Sequence, residues 1–442
     1  MGATRVRPGA GGIVCSFVFL AAGTAAAADS AMFRGDPAHS GVYAGAGVAR
    51  FGKVKWQFHT GGRVISSPAV AGGTAYVGST DGFLYAIDVG SGAEKWKFHS
   101  DARITSSPAV AGDAVYFGSY DGNFYALDAT SGALKWKFQT AGERRFAGTH
   151  LHGYLPAAEA MPDPFDVYLS SPVLANGAVF FGSGDGNVYS LDARSGALKW
   201  KFPTGNVVHS SPAYADGTIF VGSWDSYFYA LDAASGRQRW RFKTGDDNDI
   251  HNQTGIQGSP AVVDGTVYFG CRDNNLYALD ARSGEKKWSI GNDDAWVIAS
   301  PAVRNGKVYY ATGDTALLRV VDAKSGKPIA SLAFSWYFFA SPAIAGELLY
   351  AANWDGKLTA VDLASFKPAW VFQTDASRQF LATFLQPDGK MKFRAKPAEH
   401  FYDELPIALD AIYRMGSMLS SPVIADGVIY VGSTDGNLYA LM

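Results

Sequence analysis

A Ser-Pro pair recurs eight times along the chain, with its proline at Pro68, Pro108, Pro172, Pro212, Pro260, Pro301, Pro342 and Pro422. Thirteen residues after each proline stands an aspartate: Asp81, Asp121, Asp185, Asp225, Asp273, Asp314, Asp355 and Asp435. A register held this tightly while the connectors vary marks an array of one supersecondary unit. It overrules the two or three domains that 442 residues would otherwise suggest.

In the first copy, Ser66-Ser67-Pro68-Ala69-Val70 reads as a short strand, Ala71-Gly72-Gly73 as a turn, Thr74 to Ser79 as a second strand and Thr80-Asp81-Gly82 as a second turn. Phe83 to Asp88 alternates as a third strand, Ser91-Gly92 turns again, and Glu94 to Phe98 forms a fourth. Four antiparallel strands in each repeat predict the blade of a β-propeller. Proline lacks a ladder donor and suits an edge, so the Ser-Pro strand is expected innermost. Lys95-Trp96-Lys97 puts charge on the fourth strand, as an exposed outer edge requires. The last copy stops at Leu441-Met442 without a fourth strand, whereas Val54-Lys55-Trp56-Gln57-Phe58 matches Leu134-Lys135-Trp136-Lys137-Phe138 and has no repeat of its own. The N-terminal strand is therefore expected to complete blade eight and close the ring.

Ala86-x-Asp88-x-x-Ser91-Gly92-x-x-x-Trp96 resembles the tryptophan-docking motif of the PQQ-like (quinoprotein-like) eight-bladed propellers. It recurs from Ala126 to Trp136 and from Ala230 to Trp240, with similar versions from Ser190 to Trp200 and Ala278 to Trp288. The resemblance implies an all-β, eight-bladed β-propeller of four-stranded antiparallel blades. It does not choose an activity, because the family includes quinone-dependent dehydrogenases and non-catalytic scaffolds such as the outer-membrane assembly lipoprotein of the barrel-assembly machine.

Residues 1–28 read as a secretory signal: Arg5 and Arg7 precede the apolar run Ile13 to Leu20, and Ala26-Ala27-Ala28 offers a cleavage site before Asp29. The run is too short to span a bilayer. A periplasmic or secreted protein is expected, with residues 29–442 forming one propeller. Cys15 lies inside the apolar run, out of place for a lipidated N-terminus, and Cys271 is then left without a disulfide partner. Losing Arg5 and Arg7 moves the formal net charge from −2 to −4, so no basic surplus points to nucleic acid. At 48% hydrophobic and 18% charged residues, disorder is excluded.

Departures from the repeat are where a site is sought. Trp56, Trp96, Trp136, Trp200, Trp240, Trp288 and Trp370 hold the docking position, and blade six has Ala330 there. Inter-blade packing accounts for these indoles. Trp224 and Trp354 fall in second turns and Trp296 and Trp336 in connectors, which in an alternating blade lie on one face. Three expanded connectors, about 139–169, 243–258 and 373–419, lie there too and are expected to cap it. They carry Glu143-Arg144-Arg145-Phe146, His150, His152, Pro162-Asp163-Pro164-Phe165-Asp166, the acidic run Asp246 to Asp249, His251, His400 and a stretch from Glu404 to Met415 with helical character.

Five residues before the proline stand Arg63, Arg103, Trp296 and Tyr337; three before it, His209 and Gln257 replace apolar residues. Alternation puts both positions on one side of the strand. With Trp224 and Trp354 they form a candidate mouth for a small planar or anionic ligand, held by charge-assisted hydrogen bonds and stacking. Loop packing with solvated charges is the competing reading. The loop histidines lack a second fixed ligand spacing, so no metal site is assigned, and the turn aspartates are read as turn formers. Cys271 is read as packed.

Quinoprotein catalysis needs PQQ, a calcium ion to polarise it and a carboxylate base. The family's dehydrogenases usually add a pair of adjacent cysteines, which this chain lacks. It also has no Cys-x-x-Cys-His. The expectation is an exported propeller acting as a ligand-binding or interaction module through its elaborated face, its partner a small ligand or a periplasmic or outer-membrane protein. The alternative is a PQQ-dependent dehydrogenase of alcohols or sugars, with PQQ and calcium as cofactors.

Overall fold

Eight four-stranded antiparallel blades follow one another around a channel, seven of them ordered from axis to rim as the chain runs. The computed structural model describes residues 1–2, 30–149, 151, 159–245, 255–384 and 408–442. Nearly all of the expected secretory signal, His150, His152, the Asp246–Asp249 run with His251, and His400 lie outside the described residues. In blade one, Ala69–Ala71 is innermost, followed by Thr74–Gly78, Phe83–Asp88 and Glu94–His99. Val54–His59 pairs antiparallel with Asn437–Leu441, Val54 opposite Leu441, so the first full-length strand is the outer strand of the last blade. The fold is the eight-bladed propeller that the repeat predicts, closed by its N-terminal strand.

The Ser-Pro pair has a second role besides edge protection. Proline offers no N–H, so the serine before it carries the last donor ahead of the inner strand, and that donor crosses to the next blade. Ser67 N–H donates to Ser107 Oγ, Ser107 to Ser171, Ser171 to Ser211 and Ser211 to Ser259, at 2.9–3.0 Å. Ser259 continues to Ser300, Ser300 to Ser341, Ser341 to Ser421, and Ser421 returns to Ser67, at 2.9–3.2 Å. This cyclic set satisfies one buried backbone donor per blade.

Six of the seven docking tryptophans tie their blade to the next, and Trp370 Nε1 donates instead to Val48 O at 2.9 Å. Trp96 Nε1 donates to Ala129 O at 3.1 Å and Trp200 Nε1 to Ala233 O at 3.0 Å. The ring covers the glycine of the following Ser-Gly turn: a Cβ on Gly132, already at φ +73°, would meet Trp96 at 2.6 Å. Where blade six has Ala330 in place of the tryptophan, blade seven has Phe366, at φ 52°, in place of the glycine. Ala330 and Phe366 pack against the same cluster of buried residues. The two exceptions are one exchange of bulk across an interface.

Residues 30–48, which copy no part of the repeat, form a strap along the inner strands at the end of the channel opposite the inserts. Ser30–Ala31 pairs with Val110 and Ala111 of blade two. The carbonyls of Pro37, Ala38, Ser40 and Gly41 then accept from the amides of Tyr214, Val262, Val303 and Ile344, each two residues past its blade's proline, at 2.7–2.9 Å. Val42–Tyr43 runs parallel to Ile344–Ala345. Arg34, fully buried, donates to Pro342 O at 2.6 Å and Pro301 O at 3.0 Å. Burial lowers its pKa to about 10 and depresses His39 to about 3, the latter with help from the Arg34 charge.

Candidate functional site

The described parts of the first and third inserts meet over the other end of the channel. Tyr168 OH donates to Leu419 O at 2.9 Å. Phe165, Tyr168, Tyr337 and Phe339 pack with Trp296, Trp336, Trp354, Leu409, Ile412 and Tyr413. Residues Asp375–Phe384 and 408–413 are helical, the second within the Glu404–Met415 stretch. The surplus tryptophans gather on this face, as the repeat implies. Their chemistry differs from that of the docking set: the indole N–H groups of Trp224, Trp336 and Trp354 are buried with no protein acceptor.

On the axis, the first insert places two carboxylates among buried cations. Asp163 ion-pairs with Arg272, both fully buried. The Arg272 guanidinium also donates from Nε and Nη2 to Gln257 Oε1 at 3.0 and 2.7 Å, and Gln257 Nε2 donates to Phe165 O at 2.9 Å. Arg272 lies between two indoles, its Cζ 4.3 Å from the centroid of Trp224 and 4.2 Å from that of Trp296. Phe146 stacks on the ring of Trp224 at 4.4 Å. Such a cation, desolvated between aromatic faces and neutralised by a carboxylate, is held by cation–π attraction as well as by charge.

Asp166 pairs with His209, Oδ1 to Nδ1 at 2.7 Å, and accepts the Phe146 amide on Oδ2 at 2.6 Å. Glu143 lies 3.7 Å from His209 Nε2 and is itself held by Ser183 Oγ and Gly184 N at 2.7 and 2.6 Å. Burial opposes a charged imidazole here, but the charge and hydrogen bond of Asp166, with Glu143 adding to them, raise its pKa to about 9. The two carboxylates thus favour the imidazolium over the neutral ring. Below it the serine ring bounds a cavity of about 40 Å³, with Phe33 of the strap among its lining residues.

Off the axis, between the connectors into blades one and two, lies a pocket of about 340 Å³. Arg63, Arg103 and Arg145 line it, with Asp410, Tyr413 and an apolar wall of Ile65, Pro164, Val167 and Leu409. Arg63 ion-pairs with Asp410 and lies over the Tyr413 ring at 4.8 Å; Arg103 lies over Tyr120 at 3.9 Å.

The eight residues expected at one mouth thus occupy three places. Arg63 and Arg103 reach the open pocket. His209, Gln257, Trp224 and Trp296 are buried against the first insert. Trp354 is buried in the aromatic cluster and Tyr337 stands at its edge, their rings 5.9 Å apart. The sequence reading missed Arg272, although a signal existed: Trp224, Arg272 and Trp354 all immediately precede their turn aspartate. It also gave no pairing to Glu143, Arg145, Asp163 or Asp166.

The axial residues do not fit a planar quinone with calcium. The slot between Trp224 and Trp296 is filled by Arg272, and the nearby carboxylates are committed to Arg272, His209, Ser183 and backbone amides. Among the described residues, no cluster of three His, Cys, Asp or Glu has the geometry of a metal site.

Fold and ring chemistry define a PQQ-like, eight-bladed propeller with one strapped and one capped end. The family model described as Outer membrane protein assembly factor BamB matches residues 45–153, 160–370 and 293–391, and the chain belongs to that family. Comparison by sequence with curated proteins returns no match. Among solved structures, BamB from Moraxella catarrhalis is similar at 16% identity and a TM-score of 0.61, covering 88% of this chain and 97% of that one. A europium-containing methanol dehydrogenase is similar at 15% identity and 0.65, covering 90% and 89%. The quinohemoprotein alcohol dehydrogenase from Comamonas testosteroni is similar at 13% identity and 0.67, covering 93% and 80%. These likenesses establish the shared fold alone. No helix among the described residues is long and apolar enough to cross a membrane.

Proposed function

We propose that this protein is an exported binding module that receives a small anionic ligand, or an anionic group of a periplasmic or outer-membrane partner, at its capped face. The observation that carries this reading is the division of that face: the axis is packed by the chain's own Asp163 and Asp166, while Arg63, Arg103 and Arg145 converge on an open pocket beside it. Charge-assisted hydrogen bonds from fixed guanidiniums are suited to an anion entering from solvent. Export follows from reading residues 1–28 as a secretory signal.

A PQQ-dependent dehydrogenase of alcohols or sugars would need the axial slot for its cofactor, and Arg272 stands in it. The test is a titration of the purified mature protein with PQQ and calcium, followed by absorbance and tryptophan fluorescence. The binding-module reading expects no saturable binding at the axis. Saturable, calcium-dependent binding that is lost when Trp224 or Trp296 is replaced, together with reduction of an artificial electron acceptor by an alcohol, would replace this reading with the dehydrogenase.

A further inference from the structure

We propose that the pocket under Arg63, Arg103 and Arg145 is a phosphate site, built for a phosphate monoester with a compact apolar body. The inference rests on the reading of the capped face as an anion-binding surface and names the chemistry of its ligand.

The three guanidiniums come from three separate segments: the connector into blade one, the connector into blade two and the first insert. Two are fixed by aromatic faces, Arg103 over Tyr120 and Arg63 over Tyr413. Two residues lining the pocket, Arg145 and Tyr413, carry a buried Nε and a buried hydroxyl with no protein partner. Buried donors left this way are costly unless a ligand or solvent satisfies them.

The lining bears three guanidiniums and one carboxylate, Asp410, which also pairs with Arg414. The remaining charge of two suits a dianion. Arg63 shares its fork with Asp410, and the planar forks of Arg103 and Arg145 offer more N–H donors than the two oxygens of a carboxylate accept in one plane, which suits the three terminal oxygens of a phosphate monoester. Glu143 and Asp166 do not cancel this charge, since each is engaged away from the pocket. The apolar wall of Ile65, Pro164, Val167 and Leu409 gives the ester's organic part a surface to bury. The source of the phosphate, free or esterified, is what the probes must separate.

The experiment is calorimetric titration of the mature protein, in phosphate-free buffer of low ionic strength, with phenyl phosphate, inorganic phosphate and benzoate. Phenyl phosphate is expected to bind about tenfold more tightly than benzoate, which shares its ring but offers one oxygen fewer. It is also expected to bind several-fold more tightly than inorganic phosphate, which lacks the apolar body. Arg103→Ala and Arg145→Ala should each weaken phenyl phosphate by about tenfold or more, and Arg145→Lys, which keeps the charge and loses the fork, should fall between. Asp410→Asn should retain or tighten binding. Equal affinity for benzoate, no heat with any probe, or affinities unmoved by the arginine variants would overturn the phosphate assignment. Equal binding of the two phosphates would overturn the apolar-body part and leave a site for free phosphate. PQQ binding at the axis, sensitive to Trp224 and indifferent to Arg145, would instead break the binding-module reading, so the two failures are distinct.

Discussion

The two ends of the channel are closed by opposite means. At the strapped end, successive carbonyls of residues 30–48 take the inner-strand amides of neighbouring blades, and one buried cation, Arg34, donates to two backbone carbonyls. At the capped end, side chains from distant parts of the sequence meet: Asp163 with Arg272, Asp166 with His209, and aromatic rings around them. A backbone seal of this kind is indifferent to side-chain identity and completes the ring. A side-chain seal is specific, and it leaves donors of Tyr413 and Arg145 unmatched beside an open pocket. The first reads as stability and the second as function.

Substitutions at the two seals sharpen this contrast. Arg272→Ala removes the buried guanidinium that pairs with Asp163 and is expected to cost about 3–5 kcal/mol in chemical denaturation, partly recovered by adding Asp163→Leu. The Asp166–His209 pair should appear as a pH dependence. His209 is raised from 6.5 to about 9, so its contribution to stability is fully present below pH 6.5 and is lost as pH rises through about 9. Urea midpoints between pH 6 and 10 should therefore fall more in the wild type than in Asp166→Asn, by roughly 2–3 kcal/mol of stability. At the strapped end, Arg34→Met removes a charge whose hydrogen-bond partners are neutral carbonyls. About 1–2 kcal/mol is expected, less than at Arg272. A loss as large as that of Arg272→Ala would erase the distinction between the ends.

A smaller effect tests the ring between them. Ala330→Trp alone should clash with Phe366, and Phe366→Gly alone should leave a void. The double variant rebuilds the docking arrangement of the other blades, with a favourable coupling of about 1 kcal/mol in a double-mutant cycle. Strict additivity would mean that the two exceptions are unrelated.

The ring was legible because its chemistry is local and repeated. Ser-Pro, the turn aspartate and the docking tryptophan each recur at fixed spacing, and the unmatched Val54–Phe58 segment told how the circle closes. The strap was not legible: apart from those of Arg34, its bonds to the blades are made by backbone groups, which leave no residue signature. Tryptophans outside the docking position and expanded connectors pointed to the right face. Arg272 was overlooked because an arginine in a turn is ordinarily solvated, and here it is buried by Asp163, 109 residues earlier in the chain. Ala330 stood out as an exception, but only its contact with Phe366's neighbours gives the exception a cause.

The central claim is that the first insert is a fixed part of the axis. Amide hydrogen exchange tests it most directly. Asp163 N–H donates to Phe146 O at 2.8 Å, Phe146 N–H to Asp166 Oδ2 at 2.6 Å, and Leu169 N–H to Thr105 Oγ1 at 3.1 Å. These three amides are expected to exchange as slowly as Tyr214 and Val262 beneath the strap. Exchange within seconds at Phe146 and Asp163, with the strap still protected, would contradict the claim and show that the axial slot empties for a ligand of its own.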